Sequence, residues 1–319
     1  MSEIKVSRTE KPRTIPDAAG LGFGHIFADH MFVMDYETGK GWHNPSIIPY
    51  DEFCMFPSAM VLHYGQAIFE GMKAFRTADN EITLFRSQDY LNRFNRSAEI
   101  LCIPQVDIKM VYEGLKKLIQ LDKVWVPDAF GTSLYIRPFI FATDPYVGVK
   151  VSDTYKLAII LSPSGAYYSG GFDPVSIRVE DKFVRAVHGG LGEAKTPANY
   201  AASLRAQVEA KKEGFTQVLW LDAVERKYIE EVGTMNIFFK INGELITPAL
   251  TGSILEEVFG SGTAAVISPV GELSWKGNNI VINDNKTGPL AQKLFDYVTG
   301  LQYGKVKDTF GWLETVAKI

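Results

Sequence analysis

Near the middle of the chain, small residues, glycine and proline collect at Ser162-Pro163-Ser164-Gly165 and again at Gly170-Gly171-Phe172-Asp173-Pro174, between two strand-like runs. Such clusters punctuate a fold. The pattern predicts an interdomain connection over 165–174, a first domain over 1–164 and a second over 175–319. The length of 319 residues agrees, being about two domains of ~150 residues. A chain this long buries roughly three quarters of its unfolded surface and stands without disulfides. Its two cysteines, Cys54 and Cys102, are too few for a disulfide framework or a four-ligand zinc site, and they fit a reducing cytosol.

Charge and termini exclude several classes. With 33 basic and 37 acidic residues the net charge is −4, without the clustered basic excess of a nucleic-acid binder. An aromatic content of 12% at that charge excludes disorder. Residues 1–19 mix Lys5, Arg8, Lys11 and Arg13 with Glu3 and Glu10 and hold no apolar core of a signal peptide. The longest apolar runs, such as Leu157 to Leu161, are strand-sized and far short of the ~20 residues of a membrane span. The expectation is a soluble, cytoplasmic protein.

The first half reads as hairpins and amphipathic helices. Met31–Met34 and Gly41-Trp42 flank a glycine turn, and Met72–Arg76 and Ile82–Arg86 flank Thr77-Ala78-Asp79-Asn80. Ser87 is placed to cap a helix with the stripe Leu91, Phe94, Ala98 and Leu101, and a second helix follows Asp107 with Val111, Leu115, Leu118 and Ile119 inward. A buried strand is predicted over Thr132–Phe141. In the second half, Thr196-Pro197 opens an alanine-rich helix that Gly214 stops. Strand Val218–Leu221 follows, then the hairpin Ile237–Ile241/Leu245–Thr247 over Asn242-Gly243. A last helix from Pro289 is predicted to bury Leu290, Leu294, Tyr297, Val298 and Leu301.

Several constellations bear on chemistry. Gly260-Ser261-Gly262-Thr263-Ala264-Ala265 fits G-x-G-x-x-A by its letters, but a strand-like run, Val266 to Val270, follows where a dinucleotide fold needs a helix. The run still suits a compact turn of amides and one hydroxyl, the kind that takes phosphate or carboxylate. The five histidines form no i,i+4 pair on a helix, so no metal site of that type is expected, and G-x-S-x-G is absent. Lys195 stands just before a helix N-terminus, whose positive end disfavours an ammonium and favours a reactive amine. The competing reading is a surface lysine. Glu231 enters an apolar strand and needs a cationic partner if buried; otherwise it is a solvent-facing strand end. Arg93 flanks its helix's apolar stripe, facing either a cleft or Asp89 at i−4. Tyr135 and Arg137 lie on one face of a strand, suited to a carboxylate or to a structural ion pair.

Together these runs resemble the branched-chain amino acid aminotransferases of the class IV pyridoxal-phosphate enzymes. The matching motifs are Phe69-Glu70-Gly71-Met72-Lys73-Ala74-Phe75, Tyr135-Ile136-Arg137-Pro138, Lys195 with Asn199-Tyr200, Glu230-Glu231-Val232-Gly233-Thr234-Met235-Asn236 and Val258-Phe259-Gly260-Ser261-Gly262-Thr263-Ala264. They run in order from Gly22 to the C-terminal helix. The resemblance implies an α/β fold of the α+β type, fold type IV, with a small α/β domain, a larger pseudo-barrel domain, the cofactor in the cleft between them and a homodimer. It implies pyridoxal 5′-phosphate held on Lys195 as a Schiff base, Tyr200 on its phenolic oxygen, Glu231 on its ring nitrogen, and Arg93, Gly262 and Thr263 at its phosphate. Tyr135, Arg137, Thr234 and Ala264 would meet the substrate, with an apolar pocket from Phe23, Tyr64, Phe69 and Tyr167 for leucine, isoleucine and valine. The implied reaction is a ping-pong exchange with 2-oxoglutarate, without metal, nucleic acid or membrane. Other class IV activities, D-amino acid aminotransferase and aminodeoxychorismate lyase, share much of the pattern.

Two departures stand out. A redox Cys-x-x-Cys of some members is replaced by Ala265 and Ser268. Gly252-Ser253-Ile254-Leu255 runs directly into Glu256-Glu257-Val258, where the family continues with a helix, a strand and another helix. An internal segment is therefore expected to be missing at 255/256, which opens the alternative of a non-catalytic or cofactor-deficient deletion variant.

Overall fold

The computed structural model describes residues 3–165, 172–248 and 255–319. Most of the expected connection over 165–174, Tyr167 within it, and Gly252-Ser253-Ile254 lie outside the described residues. In chain order the strands and helices begin with β1 (Lys5–Val6), β2 (His30–Glu37), β3 (Gly41–Pro49), α1 (Met60–Tyr64), β4 (Ala67–Phe69), β5 (Met72–Arg76) and β6 (Glu81–Phe85). Then come α2 (Ser87–Ile100), α3 (Ile108–Leu121), β7 (Ser133–Ala142), β8 (Thr154–Ser164), β9 (Val175–Glu180), α4 (Pro197–Lys212) and β10 (Gln217–Leu221). The remainder is β11 (Ile229–Val232), β12 (Asn236–Ile241), β13 (Glu244–Ile246), β14 (Leu255–Gly262), β15 (Val266–Trp275), β16 (Asn278–Val281), α5 (Pro289–Gln302) and β17 (Leu313–Lys318).

The chain divides into two compact units. One holds 1–166, 193–197 and 301–319; the other holds 167–192 and 198–300. In the first unit a sheet runs β1-β3-β2-β8-β7-β5-β6-β17, with β4 on β7. Strand alternation decides its two faces. Phe32, Leu134, Ile136, Leu157 and Ile159 point to α2 and α3 and build the main core with Leu91, Phe94, Leu115 and Ile119. The opposite face carries Met31, Val33 and Ala158 at one end. Farther along that face, register sets Lys73 of β5 opposite Tyr135 of β7, and Tyr135 opposite Ser162 of β8.

Both expected hairpins and the two amphipathic helices form. Asp107 caps α3, its carboxylate accepting from the Lys109 amide at 2.9 Å. Ser87 does not cap α2: Arg86 occupies the cap in the left-handed region, and the Ser87 hydroxyl donates to Glu314 of β17 at 2.9 Å. A charged acceptor from the C-terminal strand outcompetes the helix's own amides.

The second unit is a sheet of order β11-β10-β9-β15-β14-β12-β13, with β16 on β15. Its ends approach at the Val232–Met235 bridge. Strands β9 and β10 are parallel and β9 also runs parallel to β15, a pairing that requires a crossover, supplied by α4. Ile177, Leu219, Ile237, Phe239, Val258 and Val270 form the interior. Ala206 and Ala210 of α4 let it lie close on Val218 and Trp220. Asn242 and Gly243 turn the β12–β13 hairpin at φ 50° and 79°. Tyr297 of α5, expected inward, is exposed. Leu301 is buried as expected, and Leu290 and Leu294 pack with the ring pair Phe172–Phe295, at 4.1 Å; Ala291 and Thr299 are buried besides.

Candidate functional site

In the first unit the expected residues converge around Phe69. Lys195 lies outside regular structure just before α4, and its ammonium sits 5.1 Å from the centre of the Phe69 ring. The Arg137 guanidinium lies 4.6 Å from that ring's centre and 5.2 Å from that of Tyr135, and donates to the Tyr135 hydroxyl at 3.0 Å. Its Nε is buried with no hydrogen-bond partner, and no carboxylate pairs with it among the described residues. A cation held by two rings with an unused donor can receive an anion. Phe23 meets Tyr135 edge-on at 4.9 Å. Gly71 is needed here: a Cβ would lie 2.1 Å from the Tyr135 hydroxyl oxygen. Tyr64, grouped with these rings by its sequence, makes its contact elsewhere, donating to the Val147 carbonyl.

Arg93 does not pair with Asp89, which takes Arg86 instead. Its partner is Glu70, in the short link from β4 to β5: Nε donates to Oε1 at 2.5 Å and Nη2 to Oε2 at 2.8 Å. Glu70 is fully buried and also accepts from the Gly71 amide at 2.9 Å, whereas Arg93 keeps 48% of its side chain in solvent. This fork orients the guanidinium, and the side chain stays part-exposed. Lys73 is a second amine on this face, and burial pushes it down to about 8. Neither Glu70 nor Lys73 was singled out by residue pattern, since each lies within a motif whose neighbours read as ordinary strand.

The second unit assembles the other set. Glu231 on β11 is half-buried and has a cationic partner: Arg185 Nη1 lies 2.9 Å from Oε2. The ion pair joins residues 46 positions apart with no local signal for it. Thr234 is exposed in the turn from β11 to β12. Gly260 to Gly262, read from sequence as part of a turn, are strand: Gly260 pairs with Ile237 and Ser261 with Asn236, so the turn is only Thr263-Ala264-Ala265. The strand Val266–Trp275 follows, and no helix, so the dinucleotide pattern of letters has no dinucleotide fold behind it. Met235 packs against Gly260 and Gly262, whose absent Cβ atoms would lie 3.0 Å from it. Glu257, buried on β14, accepts from the Leu290 and Ala291 amides at 3.0 and 3.1 Å, tying that strand to the start of α5. Tyr200 is half-buried on the first turn of α4, and Tyr167 lies outside the described residues.

The first unit offers an amine at Lys195 and a part-exposed guanidinium at Arg93; the second unit separately carries a carboxylate at Glu231, a phenol at Tyr200 and a hydroxyl at Thr263. The first two stand on elements of one unit that are hydrogen-bonded together, as an aldehyde and a phosphate on one small molecule require.

The sequence profile described as amino-transferase class IV matches residues 67–269. Branched-chain-amino-acid aminotransferase 2 of Bacillus subtilis (strain 168) is 52% identical over 354 aligned positions, covering 99% of this chain and 97% of that protein. A probable branched-chain-amino-acid aminotransferase of Staphylococcus epidermidis (strain ATCC 12228 / FDA PCI 1200) is 49% identical, with 100% of each chain covered. Among solved structures, the Escherichia coli branched-chain amino acid aminotransferase has a TM-score of 0.74 at 24% identity, over 91% of this chain and 99% of that one. The Thermobaculum terrenum branched-chain amino acid aminotransferase in its PLP form has a TM-score of 0.68 at 20% identity, over 90% and 98%. At those identities the two structures speak for the fold. Since 354 aligned positions exceed 319 residues, at least 35 residues of the Bacillus protein have no counterpart here.

Proposed function

This chain belongs to the class IV aminotransferases, and on that footing we propose that it exchanges the amino group between branched-chain L-amino acids (leucine, isoleucine and valine) and 2-oxoglutarate, with pyridoxal 5′-phosphate as cofactor, in the cytoplasm. The observation that carries the reading is the grouping of the Lys195 amine, the Phe69 ring and the Arg137 guanidinium with its unused donor. Bound pyridoxal 5′-phosphate would supply an aldehyde for an amine and a ring that withdraws electrons from the substrate Cα. Lys195 would carry the proton to and from that carbon as base and then acid. Glu231, paired with Arg185, would hold a proton on the cofactor ring nitrogen, and Tyr200 would donate to the ring oxygen. Arg93, Gly262 and Thr263 would hold the phosphate.

The substrate would lie against Phe23, Phe69 and Tyr167, with its carboxylate on Tyr135 and the Thr263-Ala264 turn and with Thr234 alongside. Arg137 would receive a carboxylate when the dicarboxylic partner binds. One apolar pocket separates leucine, isoleucine and valine weakly, since a methylene is worth only ~1–3 kcal/mol. We also infer a homodimer. Leu62, Tyr64, Tyr146, Val147 and Val149, on α1 and the loop after β7, are exposed together, and the Tyr64–Val147 bond joins the two segments. Contiguous apolar surface of this kind suits a second copy of the chain.

The test is spectroscopic and kinetic. The purified chain with pyridoxal 5′-phosphate should absorb in the visible, borohydride should bleach the band, and Lys195→Ala should abolish it together with transamination of L-leucine. A folded chain without the band, or one that prefers D-alanine or releases pyruvate from aminodeoxychorismate, would overturn the reading. The missing 35 or more residues raise the alternative of a cofactor-deficient relative, which the comparisons do not favour. Turnover of L-leucine by the chain as it stands would dispose of that one.

A further inference from the structure

We propose that Ser97 is a positioning residue for Lys195, and that α2 thereby holds the reactive amine and the Arg93 guanidinium at a set spacing. The proposal rests on the cofactor reading above. Lys195 lies in irregular backbone, where no helix or strand ladder fixes the origin of its side chain. Both of its main-chain groups are nevertheless hydrogen-bonded: its amide donates to Ser97 Oγ at 2.9 Å, and its carbonyl accepts from the Phe69 amide at 3.0 Å. The next residue adds a third tie, the Thr196 hydroxyl donating to the Ala67 carbonyl at 2.8 Å. Ser97 and Thr196 are both fully buried.

A serine inside a helix ordinarily turns its hydroxyl to its own backbone or to water. This one receives an amide 98 positions away. Arg93 and Ser97 are four residues apart on α2 and so share a face. Arg93 is bound to Glu70, which follows Phe69, and Phe69 binds Lys195, which binds Ser97. The links close a ring of five residues through α2, β4 and the lysine segment. An outer ion pair between Arg96 and Glu193, at 2.5 Å, joins the same two segments but is exposed and adds little. The ring sets the distance from the lysine backbone to the guanidinium, the span that a ligand with an aldehyde at one end and a phosphate at the other must match.

Removing the acceptor with Ser97→Ala frees the Lys195 amide without touching any group that would meet substrate. Three readouts separate positioning from mere folding: kcat, the rate at which borohydride traps pyridoxal 5′-phosphate on Lys195, and the affinity for pyridoxamine 5′-phosphate, which makes no covalent bond to the lysine. The expected result is a fall of about 10- to 100-fold in kcat and in trapping, as for an Ångström-scale misplacement of a reacting group. Pyridoxamine 5′-phosphate affinity should stay within about 3-fold, since Arg93 keeps Glu70. Ser97→Cys, which keeps a weak acceptor, should fall between, and it serves if the alanine variant does not fold. Unchanged kcat and trapping, or equal loss of pyridoxamine 5′-phosphate affinity and kcat, would overturn the proposal alone. A wild-type chain that takes up neither ligand would overturn the cofactor reading and this proposal with it.

Discussion

Replacing Lys73 by methionine should stabilise the first unit and at the same time impair catalysis. Lys73 is 9% exposed, on the face of β5 opposite Tyr135. Burial lowers it from 10.5 to about 8. At about 1.4 kcal/mol per pH decade, that displacement corresponds to about 3 kcal/mol of folding free energy. Below pH ~8 the amine is charged in the folded and unfolded chain alike, so the native protein carries the net cost that the displacement expresses. Between pH ~8 and ~10.5 the unfolded chain binds the extra proton, so stability rises with pH. Above that range the cost is gone. Methionine has similar length and no charge, so Lys73→Met should gain up to about 3 kcal/mol at pH 7, and the gain should shrink to almost nothing by pH ~10.5. Urea denaturation of both chains at about pH 7 and about pH 10 reads this as a difference, in which the titration of every other group cancels. A variant less stable than the parent at the lower pH, or a gain unchanged at the higher, would show that Lys73 is compensated in place and would refute the argument. In the same variant kcat for L-leucine should drop, because the cation facing Tyr135 is lost.

The Glu70–Arg93 pair should respond asymmetrically. Arg93→Met strands a fully buried carboxylate and should cost about 3 kcal/mol or more, whereas Glu70→Gln leaves a half-exposed guanidinium that water can solvate and should cost about 1 kcal/mol; equal losses in urea denaturation would contradict the burial argument. Asp107→Ala removes the α3 cap and should lower stability by about 1 kcal/mol with KM unchanged, as thermal melts and steady-state kinetics will show. Ala206→Leu should cost ~1–3 kcal/mol by crowding Trp220, while Leu204→Ser on the outer face of α4 should stay within about 0.5 kcal/mol, a contrast that a pair of melting curves decides.

What could be read from the sequence is what is local. The β12–β13 hairpin is visible because Asn242-Gly243 is a two-residue turn between apolar runs, and α3 is visible because Asp107 precedes a stripe at helical spacing. Strands β1 and β17 carry no such mark. Each is a short edge strand that exists because a distant strand offers its free side, β3 in one case and β6 in the other. Ser87 fails as a cap for the same reason: its sequence neighbourhood says helix start, but Glu314, 227 positions later, takes the hydroxyl. Tyr297 is the member of the α5 stripe that stays exposed, while Leu290, Leu294 and Leu301 of the same stripe pack inward.

The site divides along the same line. Lys195 and Glu231 stand in motifs, and Tyr135 with Arg137 show their common face by strand alternation alone. Their partners do not show themselves, because an ion pair leaves no mark on the residues between its ends. Arg93 had an acid four residues before it and took instead one from 23 residues before it, since Glu70 is buried and Asp89 is in water. A buried carboxylate needs its cation far more than an exposed one does, so burial, which the sequence around Arg93 does not reveal, settled the choice. Glu231 was expected to need a cation if buried; it is half-buried and pairs with Arg185, and which cation that would be depended on how the segment before α4 is folded. Sequence therefore states the electrostatic requirement at each site residue, and only the fold names the residue that meets it.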